Sequence, residues 1–394
     1  MQSERIKKRE LGIYVHIPFC VKKCKYCDFL SSPASEETKE QYIQALLREI
    51  DSYREKAQAY QVQTIYFGGG TPSSIAGEQI SMVLRKIQDV FQITNMEKLE
   101  ITIEVNPNSS LQDKLETYGK IGINRVSIGL QSTHEEELQL LGRPHTYEDF
   151  LECFLGARKA GFTNISVDVM SALPNQSMER YEETLRRVAA LNPEHISSYS
   201  LIVEEGTAFW ERYGEGKEWE HELPDEELDR KMYEATKQIL KEYGYERYEI
   251  SNYAKAGYES KHNSSYWIRR PYIGFGLGAS SFFEGKRFDN CTKMEQYIEN
   301  SETWEQRIHN IEEIQKKTAM EEFMYLGLRM TKGIEKQKFY GEFGVTVADV
   351  FGNAIEKLKG WKLLEEDSER LWLTEYGLDV SNVAFQEFLL EDVE

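Results

Sequence analysis

Three closely spaced cysteines, Cys20, Cys24 and Cys27, are the residues of this chain whose chemistry is most informative. Their spacing makes a short loop that can offer three thiolates to a cubane iron–sulfur cluster. The fourth iron of such a cluster is left without a protein ligand, and an open iron is a binding site for a small molecule. The spacing therefore predicts a [4Fe-4S] cluster with one exchangeable corner.

S-adenosylmethionine is the usual occupant of a cluster held in this way. Its amino and carboxylate groups chelate the open iron, and its sulfonium can then accept one electron. A cluster with three thiolates and this electron-rich ligand has a low reduction potential, so we expect a strong external donor such as a flavodoxin or ferredoxin. The cysteines thus indicate a site for radical chemistry.

Zinc is the alternative occupant of the same cysteines, because three Cys and one His often form a tetrahedral site. His16, four residues before Cys20, is the fourth ligand that proximity offers. Its position in a strand-like run makes a framework role the better interpretation. Cys153 and Cys291 have no neighbouring cysteine or histidine partner, so a second zinc pair is not expected.

The composition is that of an ordinary globular protein: of the 394 residues, 40% are hydrophobic and 12% are aromatic. The sequence has no charged-then-apolar leader and no apolar run near ~18 residues, which predicts a cytoplasmic protein. Free cysteines suit a reducing compartment. The net charge of −19 argues against broad contact with nucleic acid, which requires a cationic face.

Strand and helix patterns alternate through the first half of the chain. Short β-branched runs predict six strands, at residues 11–17, 64–67, 99–105, 125–130, 164–170 and 195–202. Helical spacing separates them, and consecutive βα units require parallel pairing with right-handed crossovers. The pattern predicts an α/β fold built on a partial (β/α)6 barrel, with ligands at the carboxyl ends of the strands.

Candidate site residues fall at those strand ends. Gly68, Gly69 and Gly70 follow the second strand and permit close backbone approach, although tight turns use glycine runs too. Glu104 ends the third strand, where a carboxylate can accept ribose hydroxyls or simply be solvated. Each residue alone is more often structural than functional. Their convergence on one edge favours a binding site.

Four segments together resemble a known family: residues 14–29, 68–72, 104–107 and 127–132. They resemble the radical-SAM family of oxygen-independent coproporphyrinogen III oxidases and the related HemW-like haem chaperones, and the likeness runs from about residue 10 onward. The resemblance implies Cys20, Cys24 and Cys27 as cluster ligands. It implies a set of S-adenosylmethionine contacts, with Tyr14 beside the bound molecule, Gly69, Gly70 and Thr71 at its methionine end and Glu104 at its ribose. It also implies a group lining a second S-adenosylmethionine or the substrate side: Tyr26, Gly70, Gln131, Arg143 and Asp168.

Two departures indicate the chaperone branch. The oxidases carry a fourth cysteine after the third, whereas Phe29 stands there in this chain. The oxidases also have a long N-terminal extension, and only about ten residues precede the first strand here. The resemblance therefore implies a haem chaperone, with oxygen-independent coproporphyrinogen III oxidase as the alternative.

The segment from His262 to Trp267 resembles the His-Asn-x-x-Tyr-Trp signature of the chaperone relatives. The resemblance makes His262 a candidate axial ligand to haem iron, with aromatic walls for the macrocycle. The alternative is a histidine packed among tyrosines in a loop. Ser280 stands where relatives often place a histidine, so no role is transferred to that position.

The sequence suggests three parts. Residues 1–205 form the barrel, residues 206–305 an acidic linker, a helix and the histidine segment packed on the barrel, and residues 306–394 a C-terminal winged-helix-like α+β domain. Trp210 and Trp219 are expected to anchor the acidic linker. The expected wing is acidic, which argues against phosphate contact.

The expected function is that of a radical-SAM [4Fe-4S] protein in the cytoplasm that binds haem as cargo and passes it to haem-accepting proteins. Association with a membrane would then occur peripherally, through those partners. Coproporphyrinogen oxidation is not expected, and cleavage of S-adenosylmethionine is left open. The sequence does not distinguish one bound S-adenosylmethionine from two.

Overall fold

Six parallel strands follow one another through the first half of the chain. They are β1 (Arg9–Ile17), β2 (Tyr60–Gly69), β3 (Glu100–Val105), β4 (Arg125–Gln131), β5 (Ile165–Ser171) and β6 (His195–Ser200). The computed structural model describes residues 8–107 and 111–390. Each strand pairs with the next in parallel, so the predicted partial (β/α)6 barrel is confirmed.

Helices connect these strands and cover the outside of the sheet. They are α1 (Glu36–Asp51), α2 (Arg54–Ala57), α3 (Gly77–Val90), α4 (Gln112–Lys120), α5 (Glu135–Leu141), α6 (Tyr147–Lys159) and α7 (Met178–Ala190). The apolar residues of α1 to α4, α6 and α7 pack on strand residues such as Ile65 and Val167 in one continuous core, whereas Leu141 of α5 belongs to a smaller cluster. Ser177 caps α7 by accepting a hydrogen bond from the backbone N–H of Arg180, as its position predicts.

The middle of the chain extends the sheet at both edges. Its elements are α8 (Ala208–Tyr213), α9 (Glu226–Glu242), β7 (Glu246–Glu249), β8 (Asn252–Ala254), α10 (Lys261–Trp267), β9 (Tyr272–Phe275), β10 (Ser280–Phe283), β11 (Lys286–Asn290), α11 (Met294–Asn300), α12 (Trp304–Arg307) and β12 (Ile308–Glu313). Strand β8 pairs with β6, and β9 pairs in parallel with β1. The resulting twelve-stranded order is β12-β11-β10-β9-β1-β2-β3-β4-β5-β6-β8-β7.

The acidic segment before α9 is anchored differently from the expectation. Phe209 and Tyr213 are the buried aromatic residues of α8, whereas Trp219 is exposed and lies under the Arg212 guanidinium. Trp219 thus holds the segment at the surface through Arg212 and not in the core, and Trp210 of α8 is half-buried. A tryptophan in an acidic loop can be held by a cation–π contact at the surface and need not enter the core.

The C-terminal unit has a core of its own. Its elements are α13 (Lys316–Gly327), β13 (Ile334–Glu335), α14 (Lys336–Phe343), α15 (Val347–Gly360), β14 (Leu364–Glu366), β15 (Arg370–Leu373), α16 (Glu375–Asp379) and α17 (Ser381–Gln386). The small sheet has the order β13-β15-β14, and helices followed by a β-hairpin match the expected winged-helix-like arrangement. The division of the chain into three parts at 205/206 and 305/306 stays a proposal. Strand β12, which follows the second boundary, pairs with β11 in the large sheet. Residues 1–7 of the first expected part and residues 391–394 of the last one lie outside the described residues.

A buried polar cluster lies between α1 and the β9–β12 side of the large sheet. The Glu49 carboxylate, fully buried on α1, accepts hydrogen bonds from the Gly276 N–H at 2.8 Å, from the Asn290 side-chain amide at 2.7 Å and from the Tyr297 hydroxyl. The Arg307 guanidinium lies 3.4 Å away and is also fully buried. This cluster ties α1 to the strand extension that follows β9.

Candidate functional site

A cavity of about 550 Å³ opens at the carboxyl ends of β1 to β6. Its size lies in the range of small-molecule sites. The cavity wall includes most of the residues singled out from the sequence: Cys20, Cys24, Tyr26, Cys27, Gly69, Gly70, Thr71, Glu104, Gln131, Arg143 and Asp168. Strands β1 to β6 bring these residues together from positions up to 148 apart (168 − 20) because parallel strands end at a common edge.

The three cysteines lie in the loop between β1 and α1 and are partly exposed on the cavity wall. Burial raises the pKa of the Cys27 thiol, and negative charge on Cys24 and Cys20 acts in the same direction, so both of these sulfurs lie within electrostatic range of Cys27. In the described ranges, no group of three or more His, Cys, Asp or Glu side chains is arranged to hold a metal ion. A cluster differs from a single ion in binding each thiolate through a different iron, which suits three sulfurs spread along one wall.

Hydrogen-bond donors reach two of the sulfurs. The Arg143 Nη1 lies 3.6 Å from the Cys24 Sγ, and the Thr71 Oγ1 lies 3.4 Å from the Cys20 Sγ. Donors aimed at sulfur favour its thiolate form. The donor set therefore fits an anionic, sulfur-ligated iron–sulfur cluster.

His16 does not face the cysteines as a free ligand. Its Nε2 lies 2.9 Å from the Leu30 carbonyl oxygen, to which it donates, and its Nδ1 lies 3.0 Å from the Tyr14 hydroxyl. Both ring nitrogens are thus engaged, and the ring fixes the loop that carries the cysteines. This geometry argues against His16 as a fourth zinc ligand.

Glycine is required at two positions of the run that ends β2. Gly69 has a φ of +111°, and a Cβ there would lie 2.5 Å from the His16 ring. A Cβ on Gly70 would lie 2.8 Å from the Phe19 carbonyl oxygen. The run therefore lets β2 pass close to the end of β1, directly beside the cysteine loop.

Two carboxylates lie deep in the cavity. Glu104 accepts a hydrogen bond from the Tyr66 hydroxyl at 2.7 Å, and burial raises the pKa of its carboxyl to about 7. Burial also raises the pKa of Asp168, which accepts from the Ser127 hydroxyl at 3.4 Å. The charge of Asp168 further raises the pKa of Glu104 by repulsion, and the charge of Arg125 lowers the pKa of both carboxyls. A ligand that donates hydrogen bonds would satisfy this pair.

Gln131 and Tyr26 line the same wall on the far side of Arg143. Gln131 has a φ of +78° beside a register shift in β4, and its amide oxygen accepts from the Tyr199 hydroxyl at 3.1 Å. Burial raises the pKa of Tyr26 well beyond its usual range. Their shared wall is consistent with the second group of contacts that the resemblance implies.

Tyr14 and His262 are the two predicted site residues that lie outside the cavity wall. Tyr14 stacks on Tyr66 with ring centroids 6.2 Å apart, so it supports Glu104 from behind. His262 is only 1% exposed. Its Nδ1 lies 2.8 Å from the Thr64 hydroxyl.

The surroundings of His262 argue against its expected role as a haem ligand. Its Nε2 lies 2.8 Å from the Tyr266 hydroxyl, and its ring stacks on Tyr66 at 5.0 Å. Burial, and then the charge of Arg125, lower the pKa of the imidazole to about 3. The ring is neutral with both nitrogens engaged, as in the alternative of a packed histidine. The structure thus gives it a place in the core between β2 and α10.

We expect His262→Ala to destabilise the protein by about 2–4 kcal/mol, because it opens a cavity and leaves Thr64 and Tyr266 without their partner. Chemical unfolding followed by circular dichroism measures this loss. Tyr266→Phe is the matched control, which removes one of the two hydrogen bonds and should cost about 1 kcal/mol. A variant that keeps wild-type stability but loses haem binding would instead support the ligand role.

Further polar residues of the cavity wall were not assigned from the sequence. Among them are Asn106, Ser127, Tyr199 and Asn263. Asn106 and Ser127 lie in the recognised motifs at the carboxyl end of β3 and within β4, so position alone could have marked them. Asn263 could have been marked by its place beside His262, whereas nothing local distinguishes Tyr199.

Among the described helices, none is both long enough and apolar enough to cross a membrane.

Comparisons with known proteins agree with the motifs. The model of the radical SAM superfamily matches residues 14–188, and that of the HemN C-terminal domain matches residues 314–380. The heme chaperone HemW of Lactococcus lactis subsp. lactis is 36% identical over 380 residues, which cover 96% of this chain and 97% of that protein. The heme chaperone HemW of Bacillus subtilis is 34% identical over 378 residues, which cover 96% of this chain and 99% of that protein.

The solved structure of coproporphyrinogen III oxidase (HemN) from Escherichia coli, described as a radical SAM enzyme, superimposes with a TM-score of 0.85. It covers 97% of this chain and 90% of that chain at 24% identity, which shows a shared fold. The resemblance stated from the motifs is confirmed. With relatives above 30% identity along nearly its whole length, this chain belongs to the radical SAM superfamily, in the family of the heme chaperone HemW proteins.

Proposed function

We propose that this protein is a haem chaperone, which binds haem and transfers it to haemoproteins. The observation that carries the proposal is similarity to proteins named heme chaperone HemW along 96% of the chain. Phe29 in place of a fourth cysteine supports the same branch. Haem-accepting proteins would then be its partners, and the cytoplasm its compartment.

Cys20, Cys24 and Cys27 would hold a [4Fe-4S] cluster in this proposal. All three lie on the wall of one cavity, with the Arg143 guanidinium beside the Cys24 sulfur and the Thr71 hydroxyl beside the Cys20 sulfur. The cluster, when bound, supplies one-electron reduction at low potential. An electron donor such as a flavodoxin or ferredoxin would feed it.

S-adenosylmethionine would occupy the cavity beside the cysteines. Gly69, Gly70 and Thr71 would receive its methionine end and Glu104 its ribose hydroxyls, since a carboxylate is the natural acceptor for two hydroxyl donors. Tyr14 would hold this region in place through Tyr66. The chain's own contribution is to orient the ligand and exclude water from the cavity.

The remaining wall would face either a second S-adenosylmethionine or the molecule on which the protein acts. Tyr26, Gln131, Arg143 and Asp168 form this wall. It combines a guanidinium, a carboxylate, an amide and a phenol, so it can both donate and accept hydrogen bonds.

A haem titration of anaerobic, cluster-loaded protein tests the proposed function. We expect a saturable Soret shift, followed by loss of that signal when an apo-haemoprotein is added and gains haem. Heat-denatured protein from the same batch is the control for non-specific association. The absence of saturable binding would overturn the proposal. Catalytic formation of protoporphyrinogen from coproporphyrinogen III in a parallel sample would establish the oxidase alternative.

A further inference from the structure

A continuous chain of hydrogen bonds connects two of the three cysteines through residues that are not cluster ligands. The Arg143 Nη2 donates to the Asn106 Oδ1 at 2.9 Å, and the Asn106 Nδ2 donates to the Thr71 Oγ1 at 2.8 Å. At one end the Arg143 Nη1 donates to the Cys24 Sγ at 3.6 Å. At the other end the Thr71 Oγ1 lies 3.4 Å from the Cys20 Sγ. The chain therefore begins and ends on sulfur.

Asn106 passes the direction of hydrogen bonding from Arg143 to Thr71. Its carboxamide oxygen must face Arg143, because a guanidinium only donates. Its NH₂ group then faces Thr71 and occupies an acceptor site of the hydroxyl. A cluster-bound thiolate has no hydrogen to donate, so the Thr71 hydroxyl hydrogen points at the Cys20 sulfur, and both sulfurs receive a donated hydrogen.

Arg143 is held independently of Asn106 as well. Its Nη2 also donates to the carbonyl oxygen of Gly129 at 2.5 Å. Gly129 lies in β4 at the register shift before Gln131. The sheet therefore fixes the guanidinium beside the cysteine loop, and Asn106 passes its orientation on to Thr71.

We propose that Asn106 is a positioning residue that links Arg143 to Thr71, so that the two side chains donate hydrogen bonds to the sulfurs of Cys24 and Cys20, and that these bonds raise the reduction potential of the cluster. Reduction adds one electron and makes the cluster more negative. Donated hydrogens and the guanidinium charge stabilise that added charge. Hydrogen bonds to the sulfurs are among the factors that set cluster potentials. The inference rests on the cluster assignment of the proposed function.

The midpoint potential of the loaded cluster, measured in a redox titration without S-adenosylmethionine, tests the inference. Thr71→Val removes the hydroxyl at nearly constant volume. We expect the ratio of reduced to oxidised cluster at a fixed potential to fall about tenfold, which is about 59 mV for a one-electron couple. Asn106→Leu should produce a similar fall, because it leaves the Thr71 hydroxyl without direction and removes one contact of Arg143.

Two control variants separate this effect from a general disturbance. Thr71→Ser keeps the hydroxyl and should retain the wild-type midpoint. Thr184→Val removes a buried hydroxyl that bonds Thr133 in another part of the barrel, and it should also leave the midpoint unchanged. Because the midpoint does not depend on the fraction of molecules that carry a cluster, incomplete loading does not obscure the result.

Coupling between the two substitutions provides a further readout. Asn106 reaches Cys20 through Thr71, so the double variant should shift the midpoint by less than the sum of the single shifts. Resonance Raman spectra should show deuterium-sensitive Fe–S(Cys) stretches that weaken in Thr71→Val and Asn106→Leu. A purely structural role for Asn106 would change stability and leave both spectra and midpoint as in the wild type.

Three outcomes would overturn the inference. The first is a reduced-to-oxidised ratio that changes less than twofold in both Thr71→Val and Asn106→Leu. The second is a midpoint that falls equally in Thr71→Ser and Thr71→Val. In both cases the cluster is still bound, so the proposed function is not contradicted. A wild-type protein that never takes up iron and sulfide would remove the cluster assignment and this inference together.

Discussion

Cys24→Ala is expected to abolish the brown chromophore of anaerobically reconstituted protein and to reduce its iron and sulfide content to background. The cubane would be left with two protein thiolates, and the donor that Arg143 aims at Cys24 would lose its acceptor. The fold should survive, because Cys24 is partly exposed in a loop and outside the hydrophobic core. Iron analysis and the visible absorption spectrum measure the loss.

Cys153→Ala is the matched control for that experiment. Cys153 is buried in α6, and burial raises the pKa of its thiol to about 12, so it is a small apolar core residue with no thiolate to offer. This variant should load as much iron as the wild type, with a small loss of stability. Equal loading of Cys24→Ala and the wild type would contradict the cluster assignment. A colourless wild-type preparation that binds zinc in its place would favour the zinc alternative.

Glu49→Ala is expected to destabilise the protein by about 3–5 kcal/mol, the largest loss we predict for a single residue. Glu49 and Arg307 are both fully buried, and the carboxylate accepts from three further donors. Removing the carboxylate leaves the guanidinium as an uncompensated charge inside the protein and leaves those donors unpaired. Equilibrium unfolding in denaturant measures the difference.

Glu36→Ala is the control on the same helix. Glu36 pairs with Lys39 at 2.6 Å but has 84% of its side chain exposed, so solvent screens the pair and the substitution should barely change stability. Equal effects of the two substitutions would contradict the account of the buried cluster. Replacement of both Glu49 and Arg307 by apolar residues should recover part of the loss, because it removes both buried charges.

Much of the barrel could be predicted from the sequence. A parallel strand buried on both faces needs a short β-branched run, and each of the six runs became a strand with ends shifted by a few residues. The same patterns placed the cysteines, the glycine run and Glu104 at one edge, where the cavity lies. These predictions succeed because a local pattern of residues determines them.

The surroundings of His262 and Trp219 could not be predicted in the same way. A histidine beside tyrosine and tryptophan has the same local pattern whether it faces a cavity or the core. The structure places it in the core, where Thr64 and Tyr266 engage both nitrogens. Trp219 likewise has a sequence context that does not reveal the surface cation–π contact with Arg212.

The hydrogen-bond chain through Asn106 shows the same limit inside the site. Thr71, Asn106 and Arg143 follow β2, β3 and α5, and each alone is a common loop residue. Their bonds exist only when those strand ends lie side by side.

The sequence by itself determined which chemistry is within reach, since three thiols at short spacing and a glycine run are local features of the chain. It also determined the parallel barrel, because hydrophobic periodicity and βα alternation leave few ways to bury the core. The tertiary structure decided which side chains meet in the cavity and which histidine nitrogens are free. Those contacts depend on distances between strands that are far apart in sequence, and no local pattern contains them.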